Sequence, residues 1–351
     1  MAEIKHIVYL MLENRSLDNV LGWLYEGDRP TNVIPPDSSP DFDGLNGDLY
    51  NKDAKGNKHP VVKVPENHYM VPSVDPHEEY EHVNNQLFET LATPLSPTPP
   101  SMGGFYKDFA AWYKNTGQIM ECFTPQDLPV INGLARHFAV SDRYFSSVPT
   151  QTNCNRAFAA AGNSLGNNDD GHLQAWVNNR NSGLLQFGQP QGTQFNGKTI
   201  WNVLSDNGRG EPSDWMIFNS CGSWLANRLG AEGYQYTRKI MEELQDPKFD
   251  GHFATMGDPG STAKDTFFGM VANGNLPTFS FLEPQWGLGS ISRLGFTGND
   301  YHPPKNVRQG EEFLKSIYDA LTANKEVWDG LLFIINFDEH GGTYDHVPPP
   351  W

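Results

Sequence analysis

Two short polar clusters, more than 300 positions apart, each follow directly on an apolar run. Glu13-Asn14 comes straight after IKHIVYLML (4–12), and Asp338-Glu339-His340-Gly341-Gly342 straight after LLFIINF (331–337). If both runs are parallel neighbours in one sheet, they deliver three carboxylates and an amide to the same rim. Gathered carboxylates repel one another unless a cation sits between them. Oxygen donors of this kind favour Mg²⁺, Ca²⁺ or Mn²⁺, with zinc or iron possible if a histidine joins. A third polar segment, SVPTQTNCNR (147–156), offers hydroxyls at the start of an expected helix, where free N–H groups and the helix dipole favour anions. A hydroxyl needs a base or a metal before it becomes a useful nucleophile. A cation held by Glu13, Asn14, Asp338 and Glu339 would provide that activation. Taken one at a time, each feature is more often a solvated strand end or an ordinary cap.

The elements expected to position these groups are those of an α/β domain. The runs 4–12, 214–218, 276–282 and 331–337 read as strands apolar on both faces, the pattern of a parallel sheet covered by helices. A further strand is expected over 138–145. Helices are expected over 17–25, 125–137 (capped by Thr124), from 155 to 161, over 199–204, within 256–273, and over 307–323, where Phe313, Ile317, Tyr318 and Leu321 share a face. Residues 28–100 are rich in Pro, Gly, Asn and Asp. They read as a loop-rich excursion over the surface, with a short helix near 78–89 and a stiff connector at 94–100. Trp23, Tyr25, Leu45, Tyr69 and Met70 in or beside it could line an apolar wall. Ligands of such sheets bind beyond the carboxyl ends of the strands, which is where the two acidic clusters fall.

Composition sets outer bounds. The 351 residues, 38% apolar and 19% charged, can bury a sizeable core in one large domain or two ordinary ones. With 42 Asp and Glu against 25 Lys and Arg, the net charge is −17, which disfavours nucleic acid and anionic membranes but not zwitterionic lipid. Cys122, Cys154 and Cys221 give neither a disulfide framework nor a zinc signature and read as inert thiols. No signal-peptide pattern and no apolar run of membrane-spanning length is seen. A cytoplasmic location, or export by a route needing no such signal, is expected, with no more than transient contact at a membrane surface.

The motifs resemble those of the phosphoesterase family, which contains non-specific phospholipases C and related acid phosphatases. ENRSLDNVLG (13–22) is similar to its opening signature, FDEHGGTYDHVPPP (337–350) to its second, and DLPVINGLARHFAVSDRYFSSVPTQTNCNR (127–156) to its nucleophile block. LPTFSFLEP (276–284) and NDYHPPKNVRQGEEFL (299–314) follow in the family's order. The resemblance implies an alkaline-phosphatase-like, three-layer αβα fold with a mainly parallel sheet, in a single catalytic domain over 1–351. It implies Thr152 as nucleophile, Asn155 holding a phosphoryl oxygen, and Glu13, Asn14, Thr152, Asp338 and Glu339 as ligands of a divalent ion (Ca, Mg, Mn, Zn or Fe). It also implies His302, and more weakly His252, as active-site histidines. The implied activity is phospholipase C-like cleavage of a phospholipid through a phospho-threonine, with a small phosphomonoester as the alternative substrate. An inactive binding protein on the same fold is the reading from another class. Three departures stand out: Cys154 replaces a customary proline, Asp75-Pro76-His77-Glu78 is one residue short of a DPxH segment, and the chain stops at Trp351, where relatives continue, as though a C-terminal part were missing. His77 is therefore a candidate only, and His346 reads as structural support.

Overall fold

The computed structural model describes residues 3–92, 98–167, 173–175, 195–220, 235–286 and 298–350. Most of the expected 94–100 connector and Cys221 lie outside them. The principal elements in chain order are β1 (His6–Leu12), α1 (Leu17–Leu21), α2 (Tyr80–Phe88), α3 (Phe105–Trp112), α4 (Pro129–His137), α5 (Thr152–Ala161), α6 (Ile200–Asp206), β2 (Trp215–Asn219), β3 (Phe253–Thr255), α7 (Phe267–Asn273), β4 (Phe279–Glu283), α8 (Val307–Ala323) and β5 (Leu331–Phe337). The chain divides into two compact units. One comprises Met1–Leu12, Thr152–Asp300 and Glu312–Asp338; the other comprises Glu13–Gln151, Tyr301–Glu311 and Glu339–Trp351.

The first unit holds a parallel five-stranded sheet in the order β5-β1-β4-β2-β3. The α/β expectation holds: the sheet is parallel, and helices intervene between β1 and β2, β3 and β4, and β4 and β5. The inner strands earn their apolar character, since every residue of β2 and four of five in β4 are buried. β5 closes the strand order among the described residues. Its pattern alternates, and Leu332 and Ile334 are 38% and 37% exposed. A strand with one neighbour is not covered as an inner strand is, which is why β5 departs from the two-sided burial expected of LLFIINF. Local signals set the helices. α6 opens with a reciprocal capping box between Thr199 and Asn202. α7 is capped by the Thr266 side chain and stopped by Gly274 at φ 69°. Leu314, Ile317 and Leu321 of α8 are fully buried at helical spacing.

The second unit has its own core, in which Trp23, Leu45, Val83, Phe105, Phe109 and Tyr344 pack together. The stretch 28–100 is thus more than a surface excursion. It contributes an antiparallel pair (Tyr50–Lys52 with Lys58–Pro60), a two-residue parallel ladder with Glu121–Cys122, and α2. Trp23 and Leu45 are interior residues and no wall for a ligand, whereas Met70 is 52% exposed. The expected strand at 138–145 does not form. Phe138 and Tyr144 face solvent, and the polar residues between them reach a neighbouring loop instead: Asp43 N donates to Asp142 Oδ2 at 2.7 Å and Arg143 to Asp43 Oδ2 at 2.5 Å. The helix expected within 256–273 occupies only its last seven residues, after a turn containing Pro259 and Gly260. The nucleophile helix begins three residues earlier than expected, at Thr152.

Candidate active site

The register of β1 on β5 sets His6 opposite Leu331 and Leu12 opposite Phe337. The pairing continues one residue further, since Asp338 N donates to Leu12 O at 3.1 Å. Both acidic clusters therefore begin where two adjacent parallel strands end at their carboxyl side. Glu13, Asn14, Asp338 and Glu339 are all buried, with at most 3% of any one exposed. Within the second unit the two signatures touch. Asn14 takes φ 52°, and a Cβ placed on Gly341, itself at φ 61°, would lie 2.2 Å from Asn14 O. Only glycine satisfies both the left-handed backbone and that approach. Gly341 N then donates to Glu339 Oε2 at 2.6 Å. The next side chain, His340, donates from Nε2 to Gln86 Oε1 at 2.6 Å. Burial pulls the His340 pKa down to about 4, so this ring is neutral at pH 7.

Helix α5 supplies the hydroxyl. Thr152, Asn155 and Arg156 are buried at spacings that share one helix face. Arg156 fixes that face within the first unit: Nη2 donates to Met11 O at 3.2 Å, and Nε donates to Asp338 Oδ2 at 3.3 Å. The amino-terminal turns of α5 are thereby tied to the carboxyl ends of β1 and β5. The guanidinium also lies over the Trp286 ring, 4.7 Å from its centroid, beside Tyr236 stacked on the same indole. At the end of β4, Glu283 accepts from Tyr236 N (3.1 Å) and Thr237 N (2.7 Å), and its burial raises the carboxyl pKa. In the sequence, Arg156 and Glu283 stand out only as letters of the motifs. Their roles depend on partners more than 40 residues away, so spacing gave no signal. Cys154, in the same helix, is buried and its thiol pushed up to about 12, which fits the inert reading.

The histidines separate. His302 belongs to the second unit, where Nδ1 donates to Pro303 O at 2.5 Å and stands 3.7 Å from Asp75 Oδ1. His252 is 3% exposed, stacks on Trp215 with centroids 3.7 Å apart, and donates from Nδ1 to Trp215 O at 2.8 Å. Trp215 opens β2, so His252 sits at the amino end of its strand pair, away from the carboxyl ends that the acidic clusters follow. In the shortened Asp75–Glu78 segment it is Glu78, 9% exposed, that meets the nucleophile segment, accepting from Gln151 Nε2 at 3.1 Å.

His346 ties the two signatures together elsewhere in the second unit. Its N and Nδ1 both donate to Asp18 Oδ2, at 2.8 and 2.7 Å, and Nε2 meets Asp43 Oδ1 at 3.1 Å. Burial alone would lower its pKa, but the bond to Asp18 and the surrounding charges outweigh it and raise the value to about 9. Burial, then the Asp18 charge, pushes Asp345 up to about 8. Both groups hold protons in the fold that the unfolded chain has released near 6.5 and 3.8. Stability is therefore fullest at low pH as far as these groups are concerned, and falls as pH rises to about 9. Thermal melts should show a lower midpoint at pH 9.5 than at pH 7, with the slope reduced in His346→Gln. A flat profile would contradict the assignment.

Comparison with known proteins bears on the family of the chain. The phosphoesterase family model matches residues 4–351. The chain is similar to non-specific phospholipase C5 of Arabidopsis thaliana, with 31% identity over 99% of this chain and 57% of the relative. It is also similar to the non-hemolytic phospholipase C of Burkholderia pseudomallei (25%, covering 99% and 45%) and to phospholipase C B of Mycobacterium tuberculosis (25%, covering 100% and 61%). The chain thus spans about half the length of the curated relatives it matches. By signature order and family match, the chain belongs to the phosphoesterase family.

Proposed function

We propose that the chain is a metal-dependent phosphoester hydrolase, working as one catalytic domain of the alkaline-phosphatase-like type. The observation that carries this is the β1–β5 register, which starts Glu13-Asn14 and Asp338-Glu339 from paired strand ends, to which Arg156 also fastens the Thr152 helix. The donors in this reading are Glu13, Asn14, Asp338 and Glu339, with the Thr152 hydroxyl completing the set. Carboxylate, amide and hydroxyl oxygens fit a hard divalent ion. Such an ion, when bound, lowers the pKa of a ligated hydroxyl and offsets charge on phosphoryl oxygens. Thr152 loses its hydroxyl proton to solvent as Oγ1 attacks phosphorus in line, the bond from phosphorus to the leaving alkoxide breaks, and His302, reprotonated from solvent before the next turnover, gives that alkoxide a proton. Asn155 Nδ2 donates to an equatorial oxygen as charge develops there. Water then attacks the phospho-threonine and restores the hydroxyl. His252, whose ring is committed to Trp215, supports the fold in this scheme.

The relatives' names favour a phospholipase C-type substrate, a phospholipid phosphodiester, over the monoester of an acid phosphatase. Among the described residues no helix is long and apolar enough to cross a membrane, so in this reading lipid is met at a bilayer surface. The test is hydrolysis of phosphatidylcholine and of p-nitrophenyl phosphate in parallel, each with added divalent ion and with chelator. Release of phosphocholine that chelator stops is the expected result. Full activity in chelator would overturn the metal role, and activity on the monoester alone would overturn the lipid assignment.

A further inference from the structure

We infer that His77, Glu79 and His82 form a separate binding site for a borderline-soft divalent cation, of which Zn²⁺ is the best fit. One ligand atom from each lies within 4.8 Å of the other two. The site shares no residue with the rim proposed for catalysis, and does not rest on that proposal.

His77 Nδ1 and Glu79 Oε2 stand 3.4 Å apart. Two ligands bonded to one tetrahedral zinc at ~2.0–2.1 Å are separated by about 3.4 Å. Glu79 occupies the cap position of α2, yet its carboxylate makes no cap hydrogen bond, and its Oε2 is shielded from solvent without a hydrogen-bond donor. The third ligand is held from behind. His82 is 9% exposed and its Nδ1 donates to Asp108, at 3.0 and 3.2 Å from the two oxygens. Asp108 is fixed in turn by Asn85 Nδ2 at 2.8 Å and Gln86 Nε2 at 3.3 Å. A carboxylate on one ring nitrogen of a histidine, leaving the other for a metal, is the usual support of a metal-bound imidazole. With Nδ1 on Asp108, His82 binds through Nε2.

The loop is also built for the purpose. Gln86 Nε2 donates to His77 O at 2.8 Å, and a Cβ on Gly342 would come within 2.6 Å of that same oxygen, so the His77 backbone is clamped. The side chain has more freedom, being 28% exposed. Its ring stacks on His82, centroids 4.3 Å apart at 16°. Near-parallel stacked rings keep their lone pairs in separate, near-parallel planes, so seating an ion requires His77 to turn out of the stack while Asp108 holds His82. Four carboxylates, Asp75, Glu78, Glu79 and Asp108, are near enough to add, after burial, to the rise of the Tyr113 phenol to about 12. Two imidazoles and one carboxylate select Zn²⁺, Co²⁺ or Ni²⁺ over Mg²⁺ and Ca²⁺.

The test counts ions on the full chain. Metal-stripped wild type, His77→Ala and Glu79→Ala are equilibrated with Zn²⁺, gel-filtered and assayed for zinc, with thermal melts to confirm folding. Wild type is expected to carry one more zinc per chain than either variant. Asp108→Asn should weaken zinc binding by about 10–100-fold. Co²⁺ should give visible d–d bands that His77→Ala removes. Equal zinc content in wild type and both folded variants, or unchanged cobalt bands, would overturn the site. Loss of zinc from Asp338→Asn bears only on the catalytic rim, so the two proposals fail separately.

Discussion

Thr152→Ala should abolish phosphoester hydrolysis, lowering turnover by roughly 10⁴-fold or more while the chain still folds. The hydroxyl is the one group on α5 whose chemistry the scheme cannot replace. Asn155 can still hold an oxygen and the acidic rim can still bind its ion, but no covalent intermediate forms. The side chain lies in the first turn of the helix and is 4% exposed, so its loss costs about 1–2 kcal/mol through packing. Stability and activity should therefore part company, which urea titration beside single-turnover kinetics will show. Thr152→Ser keeps a hydroxyl and should recover part of the rate. Near-normal turnover by the alanine variant would end the nucleophile assignment.

Arg156→Met should be the most destabilising substitution of a site residue, by about 3–5 kcal/mol. The Arg156 and Asp338 side chains are 1% and 0% exposed. Measured in chelator, so that no ion shares the rim, methionine fills much of the volume but leaves the Asp338 carboxylate buried without the guanidinium and removes the donor to Met11 O. Arg156→Lys should rescue little, because a single ammonium cannot reach carboxylate and strand carbonyl with the geometry of a guanidinium fork. Adding Asp338→Asn to Arg156→Met should restore part of the loss, since the uncompensated charge is then gone, and the double-mutant cycle measures the coupling. A variant whose urea midpoint matches wild type would show that the pair does not hold α5 to the strand ends.

What could be read without coordinates divides along physical lines. β1, β2 and β4 announce themselves because a strand between covering layers is mostly apolar, β5 because its run is apolar even though one face is partly exposed, and α8 because its apolar residues keep helical spacing. The three-residue β3 is too short to show any period. Residues 138–145 carry strand-like composition, but their polar members find partners on the loop at Asp43, and local propensity yields to those contacts. The acidic clusters were found because they interrupt apolar strands abruptly. His252 was ambiguous, since a histidine between Gly251 and Phe253 looks the same whether it faces a substrate or stacks on Trp215. The His77, Glu79 and His82 grouping straddles a loop and a helix start, so no single periodicity exposes it.

The sheet order has a consequence for how the chain is made. β1 lies between β4 and β5, so it finds its neighbours only after residues 279–283 and 331–337, made later, have emerged. At cellular elongation rates that interval is on the order of tens of seconds. Throughout it an apolar segment stays unmatched, a natural client for a holdase chaperone. Nascent fragments should be inert and prone to clump, and competence should arrive abruptly, once β5 is clear of the ribosome.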